Sequence, residues 1–277
     1  MNRTDKQLVT LPYILMVGVF VVVPIFIVVF YSLCVELDGH LVFSFENYKR
    51  AFEPVYLVIL RRSITLALSC TALCIALGYP VAYILASREY VNKGFLLFMF
   101  LFPMWMNFLL RTYSWISILE RNGFINAVLE AVGLPGISIL YTNSAVLLGM
   151  IYNFLPFMIL PIYSVLRKMD QSLMEAAQDL GANSRQVFLK LTLPQSIPGV
   201  ISGITMVFMP ATSTFIISDL LGGAQHMLIG NLIEQQFLKA NNWNFGSAVS
   251  VILMALLLIS FSIFSMVDKG GEGGVLF

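Results

Sequence analysis

Five side chains of this chain could bind a metal or take part in redox chemistry, namely three cysteines and two histidines. Cys70 and Cys74 share a helix face at a spacing of four, but each lies inside an apolar run. That setting favours small buried hydrophobes over a redox pair, and Cys34 is far from both. His40 and His226 are also far apart, with no Cys or His at zinc-ligand spacing beside either. The sequence therefore predicts no metal site.

Four charged side chains lie in a polar insert between two long apolar runs, SLMEAAQDLGANSRQVFLKLTLP at residues 172–194. Ser172 followed by Glu175 fits a capping box, which predicts the start of a helix. An apolar stripe at i, i+3, i+4 and i+7 follows, formed by Leu173, Ala176, Ala177 and Leu180. Glu175, Gln178 and Asp179 point away from this stripe.

The insert is predicted to be two helices joined by a sharp bend. Gly181 is placed to end the first helix in a left-handed conformation that other residues adopt at a cost. Ser184 is predicted to cap the second helix, and Pro194 to stop it. The whole segment from about 166 to 196 is therefore expected to form a helix–turn–helix at the membrane face.

The chemistry of the first helix favours a protein partner. Ala176 and Ala177 leave little side-chain bulk on the apolar stripe, so another surface can approach closely. A helix that lies on lipid would favour Lys or Arg on its polar face and large anchors such as Trp on the other. This helix has an acidic polar face and a small apolar face.

The elements around the insert are predicted to cross a membrane. The chain has 277 residues, of which 58% are hydrophobic and 11% charged, against about 25% charged in a soluble domain. A crossing needs about 20 mostly apolar residues. Six segments qualify: roughly 11–33, 59–86, 94–116, 144–165, 197–220 and 245–267. The predicted fold is all-α and polytopic, with six transmembrane helices.

The distribution of Lys and Arg indicates the orientation in the membrane only weakly. With both termini in the cytoplasm, nine Lys and Arg lie inside and seven outside. The basic N-terminus and the short loop at 87–93 favour this orientation, whereas Arg61 and Arg62 argue against it. The net charge of +1 gives no reason to expect nucleic acid as a partner.

The insert also carries a family resemblance. EAAQDLG, followed by LTLP at residues 191–194, resembles the EAA loop of membrane subunits of ATP-binding-cassette (ABC) importers. The matching positions are Glu175, Ala176, Ala177, Gly181, Leu193 and Pro194. LGYPVAYILA, NFLPFMILPIYSVLRKMDQSLMEAAQDLGA and SDLLGGAQHMLIGNLI are similar to PotB-type permeases of spermidine/putrescine importers. This likeness extends from about Asn47 to Ser265.

The resemblance implies a function for the insert. In such importers the EAA loop docks into a cleft on a cytoplasmic ATPase and transmits its closure to the membrane helices. The chain has no G-x-x-x-x-G-K-[ST] motif, so ATP and Mg are expected on that partner and no cofactor on this chain. The expected assembly contains a second, different permease chain, two ATP-binding cassette subunits and a solute-binding protein. The chain is then one permease domain over 1–277, with a core at about 59–267, in the cell membrane.

A polyamine path should offer carboxylates and aromatic faces to a flexible polycation. The candidate path residues are Asp219, Trp105, Tyr113, Tyr152 and Asn153. Each has an alternative interpretation. Asp219 fits a helix end wetted at the interface, the aromatics fit belt or packing positions, and Asn153 fits a helix–helix link. Arg111 is expected to snorkel outward.

Three alternatives stay open from the sequence. The same machinery could carry sulfate, molybdate, ferric iron or another organic cation. A membrane enzyme would need a nucleophile with a base, a metal set or paired carboxylates, and none lies within the crossings. A passive channel or scaffold would not need the acidic docking helix.

Overall fold

The computed structural model describes residues 12–37, 40–86, 93–223 and 226–269. These residues form, in chain order, α1 (Pro12–Ser32), β1 (Cys34–Leu37), β2 (His40–Phe43), α2 (Glu46–Ala51), α3 (Pro54–Ala86), α4 (Lys93–Leu101), α5 (Phe108–Leu119), α6 (Phe124–Ala131), α7 (Asn143–Lys168), α8 (Gln171–Asp179), α9 (Ser184–Ser213), α10 (Ile216–Gly222), α11 (Ile229–Glu234) and α12 (Trp243–Lys269). The mostly helical fold is confirmed. Within the described residues, five helices are long and apolar enough to cross a membrane: α1, α3, α7, α9 and α12.

The predicted crossing at 94–116 is not one continuous helix. Helix α4 ends at Leu101, a 3-10 turn covers Phe102–Trp105, and Met106 is extended. The side chain of Asn107 then caps α5, accepting hydrogen bonds from the N–H groups of Leu109 and Leu110 at 2.9 and 3.4 Å. Pro103 suits the first turn of a new helix, and an Asn cap favours a fresh start. The count of six crossings stays a prediction.

The second helix of the insert is much longer than predicted. Pro194 does not stop α9, which continues to Ser213. A π turn at Phe188–Thr192 ends two residues before Pro194, and the N–H of Leu193 bonds back to the carbonyl of Phe188. The wider turn changes the bonding pattern where the proline lacks a donor, so the helix can continue. The prediction that Pro194 ends this helix is therefore wrong.

The chain divides into two compact units, of which the first contains residues 1–59 and 232–256. Its β1–β2 hairpin, with Cys34 opposite Phe43, is an element that the sequence analysis missed. Buried amides secure it, because Asn47 and Asn244 donate to the carbonyl of Cys34 at 2.8 and 2.7 Å. The ring of Phe245 is fully buried and carries the Arg50 guanidinium 4.4 Å from its centroid.

The second unit, residues 60–231 and 257–277, is built around the close packing of α7 against α9. Two glycines of α9 allow that approach. A Cβ at Gly199 would lie 2.9 Å from the carbonyl oxygen of Pro161, and one at Gly203 would lie 2.6 Å from the Sδ of Met158. Small residues of this kind let membrane helices pack backbone to backbone. Cys70 and Cys74 are fully buried in this unit, as predicted.

We expect Gly199→Leu to destabilise the second unit. Its side chain would have to enter space held by backbone atoms of α7, including the Cα of Ile162 at 3.1 Å, and backbone yields little. Overpacking of this kind costs about 1–3 kcal/mol or more. The melting temperature of the purified protein in detergent should fall. Gly18→Leu is the matched control, because nothing lies within 4 Å of a Cβ there. Equal melting temperatures for the two variants would contradict the packing account.

Candidate coupling surface and transport path

Helix α8 begins at an aspartate that the sequence analysis did not single out. Asp170 is its N-cap, and its carboxylate accepts a hydrogen bond from the N–H of Ser172 at 2.9 Å. The predicted capping box of Ser172 and Glu175 is therefore wrong. A carboxylate at the N-cap bonds the free N–H groups and also complements the positive end of the helix dipole. Glu175 lies further along the helix and is free for another role.

The predicted bend at Gly181 is confirmed. Its φ is +85°, in the left-handed region. The N–H of Gly181 bonds to the carbonyl of Gln178 at 2.8 Å, and the N–H of Ala182 bonds to the carbonyl of Ala177 at 3.0 Å. This is the Schellman pattern, which satisfies two carbonyls at the end of a helix. The glycine therefore fixes the direction in which the chain leaves α8.

A capping box fixes the start of α9, one residue earlier than predicted. The side chain of Asn183 accepts from the N–H of Gln186 at 2.8 Å, and the side chain of Gln186 accepts from the N–H of Asn183 at 2.9 Å. Asn183 is therefore the N-cap, and Ser184 is the first helical residue. Leu193 and Pro194, the other predicted coupling residues, are exposed and follow the π turn of α9.

The apolar stripe of α8 is presented outward. Leu173 and Leu180 are 51% and 90% exposed, and Ala176 between them is also exposed. Ala177 is half-buried. Apolar side chains at this exposure on an otherwise polar helix are typical of a surface that a protein or a membrane covers. Its small central alanine leaves room for close approach.

The opposite side of α8 lines a cavity of about 220 Å³, here named the coupling-helix cavity. Its lining residues come from α8, from the ends of α3 and α7, and from α9: Tyr83, Ala86, Leu166, Met169, Met174, Glu175, Gln178 and Thr192. Glu175 therefore borders the ends of other helices rather than belonging to the outward stripe. The sequence could not show this placement, because it depends on how α8 packs.

The candidate path residues lie mainly on three helices that contact one another, α5, α7 and α10. The rings of Trp115 and Tyr152 meet edge to face with centroids 5.3 Å apart. Tyr113 on α5 and Asp219 on α10 are exposed. Trp105 belongs to the 3-10 turn, is 79% exposed and contacts Phe98. The fold thus brings helices with four of the five candidates together.

Asn153 is 2% exposed and donates to the carbonyl of Gly149 on its own helix at 2.8 Å. Its side-chain oxygen is buried without a hydrogen-bond partner. The amide therefore does not link two helices within this chain through its donor. A buried oxygen without a hydrogen-bond partner costs about 1–3 kcal/mol.

Arg111 does not snorkel outward, so that prediction is wrong. It is 9% exposed, and its Nε atom is buried without a hydrogen-bond partner. The physical reason is the break at Asn107, which places Arg111 in the first turns of a short helix instead of late in a long crossing. Its guanidinium lies 5.9 Å from the ring centroid of Phe108.

A buried polar network that the sequence analysis missed holds the segment around Asp219. Ser218 hydrogen-bonds to the side-chain oxygen of Asn231, which also accepts from the N–H of Leu228 at 3.1 Å. The amide of Asn231 donates to the carbonyl of Phe215 at 2.9 Å. These bonds connect both ends of the SDLLGGAQHMLIGN stretch. The one available signal was a Ser and an Asn within an apolar, glycine-containing run.

The chain is mostly helical, with several helices long and apolar enough to cross a membrane and a short polar helix, α8, between two of them. The chain belongs to the family described as the binding-protein-dependent transport system inner membrane component, which matches residues 3–269.

The chain is 41% identical over 226 residues to the spermidine/putrescine transport system permease protein PotB of Escherichia coli strain K12, covering 80% of this chain and 82% of that protein. It is 40% identical over 251 residues to PotB of Haemophilus influenzae, with 87% of each covered. Its fold is similar to a crystal structure of a bacterial ABC transporter involved in the import of the acidic polysaccharide alginate, with a TM-score of 0.78 and 16% identity. That match covers 97% of this chain and 96% of the other.

Proposed function

We propose that this chain is a membrane-spanning permease subunit of an ATP-driven importer that moves spermidine and putrescine into the cell by alternating access. The identity of 40–41% to PotB proteins over most of the chain carries the cargo assignment. The alternative cargo is another small solute carried by the same machinery. Among the residues that the structure describes, Arg111 is the one buried cation, and one cation does not form the basic cluster that an anion such as sulfate would favour.

The coupling role of the insert is supported by its geometry. Helix α8 exposes an apolar stripe, ends in a glycine bend and leads directly into the long helix α9. A displacement of α8 by a partner ATPase would therefore reach α9 through the short segment at 180–183. ATP and Mg belong to that partner, and this chain performs no hydrolysis. Two ATPase subunits, a second permease chain and an extracytoplasmic solute-binding protein complete the assembly.

The proposal requires both termini and the insert to lie in the cytoplasm. Single-cysteine labelling in intact cells checks this orientation, with Gln178→Cys and His40→Cys in a chain whose native cysteines are replaced. Both positions are exposed, whereas Cys34, Cys70 and Cys74 are at most 4% exposed. We expect an impermeant reagent to label position 40 and not position 178. The reverse pattern would overturn the orientation and the docking surface with it.

The function itself is tested by reconstitution. The complex of this chain with its co-expressed permease and ATPase partners, placed in liposomes with the solute-binding protein, should accumulate labelled spermidine when ATP is supplied on the ATPase side. ATP hydrolysis should rise when the loaded binding protein is added. Uptake of another solute in place of polyamines would reject the cargo. ATP hydrolysis that does not change when this subunit is present would contradict its coupling role.

A further inference from the structure

The coupling-helix cavity has a chemistry that the apolar docking stripe of α8 does not use. Docking needs the stripe of Leu173, Ala176 and Leu180, whereas the cavity lies on the other side of the same helix, where Glu175 and Gln178 are exposed and Met174 is half-buried. Its volume of about 220 Å³ is below the roughly 300–1,000 Å³ of drug-sized ligand sites, so it suits a small molecule. All of its lining residues belong to the second compact unit.

The lining selects for a small cation. Glu175 contributes a carboxylate, and Gln178 and Thr192 are polar residues that can accept a hydrogen bond. Tyr83 contributes an aromatic ring, and a ring face attracts ammonium groups. Two thioethers, from Met169 and Met174, add soft and polarisable walls. None of the eight lining residues carries a positive charge.

We infer that the coupling-helix cavity binds a small primary amine in its ammonium form, at a site separate from the transport path. The ammonium group binds between the Glu175 carboxylate and the ring of Tyr83, and the alkyl part lies against Met169 and Met174. The path candidates Tyr113, Tyr152 and Asp219 are not among the lining residues, so the two sites can be varied independently.

Occupancy of this site would restrain coupling. The lining joins α8 to the ends of α3 and α7 and to Thr192 of α9, so a bound cation connects the coupling helix to three membrane helices. A ligand that holds these elements together favours one arrangement over the other. The inference rests on the proposed function for its location on the cytoplasmic side. A cytoplasmic amine would then lower ATP hydrolysis by the assembled transporter.

The test uses the full complex in nanodiscs, where both faces are accessible, and labelled putrescine as the probe. Binding is measured by equilibrium dialysis without the solute-binding protein, in the wild type, Tyr83→Leu and Tyr83→Phe. We expect Tyr83→Leu to weaken binding at this site roughly 2- to 30-fold, the range of one cation–π contact, and Tyr83→Phe to keep wild-type binding. Glu130→Gln, at an exposed carboxylate outside this lining and outside the path candidates, should leave this binding unchanged. Butane-1,4-diol, of similar length but uncharged, should not compete.

A second measurement, of ATP hydrolysis, connects binding to regulation. It also shows whether each variant is still folded and active. Putrescine should lower ATP hydrolysis in the wild type and in Tyr83→Phe, with a higher half-inhibiting concentration in Tyr83→Leu. Glu175→Gln should lose putrescine binding, which dialysis reads independently of coupling. Binding that Tyr83→Leu and Glu175→Gln both leave unchanged would overturn the site, as would competition by the diol. Failure of the loaded binding protein to stimulate hydrolysis would instead count against the proposed function, because the dialysis contains no binding protein.

Discussion

Gly181→Val should abolish transport while the protein still inserts into the membrane. Gly181 has φ +85°, and a left-handed conformation costs an ordinary residue about 1–2 kcal/mol and a β-branched residue more. Nothing lies within 4 Å of a Cβ at this position, so the effect comes from the backbone and not from a clash. The variant should relax the bend and lose the bonds to Gln178 and Ala177, which separates the motion of α8 from α9.

The measurement is spermidine uptake, normalised to the amount of permease in the membrane. We expect the uptake by Gly181→Val to fall at least tenfold. Gly133→Val is the matched control. Gly133 has φ +79° and also has open space around a Cβ, but it lies in the loop after α6, outside the insert. Gly181→Asn is a milder variant, because Asn tolerates the left-handed region. Wild-type uptake by Gly181→Val, or equal losses at both glycines, would show that the bend is not a transmission element.

The coupling insert was only partly predictable, because the sequence signal for its glycine bend is specific and the signals for its helix N-caps are not. A left-handed turn after a helix is strongly biased toward glycine, so Gly181 identified the bend. N-caps are less specific, since Ser, Asp and Asn serve nearly equally. Asp170 stands two residues before Ser172, and Asn183 stands directly before Ser184, and the structure uses the earlier residue in both cases. A single sequence offers no means to rank such neighbours.

The crossings were predictable from apolar length, and the errors occur where local breaks compete with it. Residues 94–116 are apolar enough to span, but Pro103 and Asn107 divide them into two helices and a turn. Pro194 has the opposite outcome, because a π turn precedes it and α9 continues. Hydropathy does not register either event. The hairpin at 34–43 depends on amide contacts from distant Asn47 and Asn244, which no local pattern could indicate.

The candidate path depends most on tertiary packing, so residue types were predictable from the sequence and their surroundings were not. Arg111 was expected at the interface and lies buried, and Asn153 bonds to its own helix. Glu175 was recognised for its family motif, but its position beside Tyr83 and Met169 depends on the ends of α3 and α7 and on α9 meeting α8. Local signals therefore predicted elements and their order. The environments of individual polar groups required the packed structure.

Asp219→Asn should reduce spermidine and putrescine uptake more than the loss of any single path aromatic. A cation beside one ring gains roughly 0.5–2 kcal/mol, whereas pairing with a carboxylate can contribute more. Asp219 is exposed on α10, which packs against α5 and α7. The Ser218–Asn231 network at its back fixes the helix, so the substitution should leave the local fold intact. Asn keeps the size of the side chain and removes its charge.

Uptake by cells that express the variant complex measures the effect, and recovery of the ATPase with the permease shows that assembly is intact. Tyr152→Leu gives the comparison with a ring. Glu130→Gln is the matched control, since Glu130 is an exposed carboxylate on α6 of the same unit and is not a path candidate. A loss in Asp219→Asn without a loss in Glu130→Gln would place the charge in the path. Unchanged uptake in Asp219→Asn would make it a wetted helix-end residue and would leave the coupling role of Gly181 untouched.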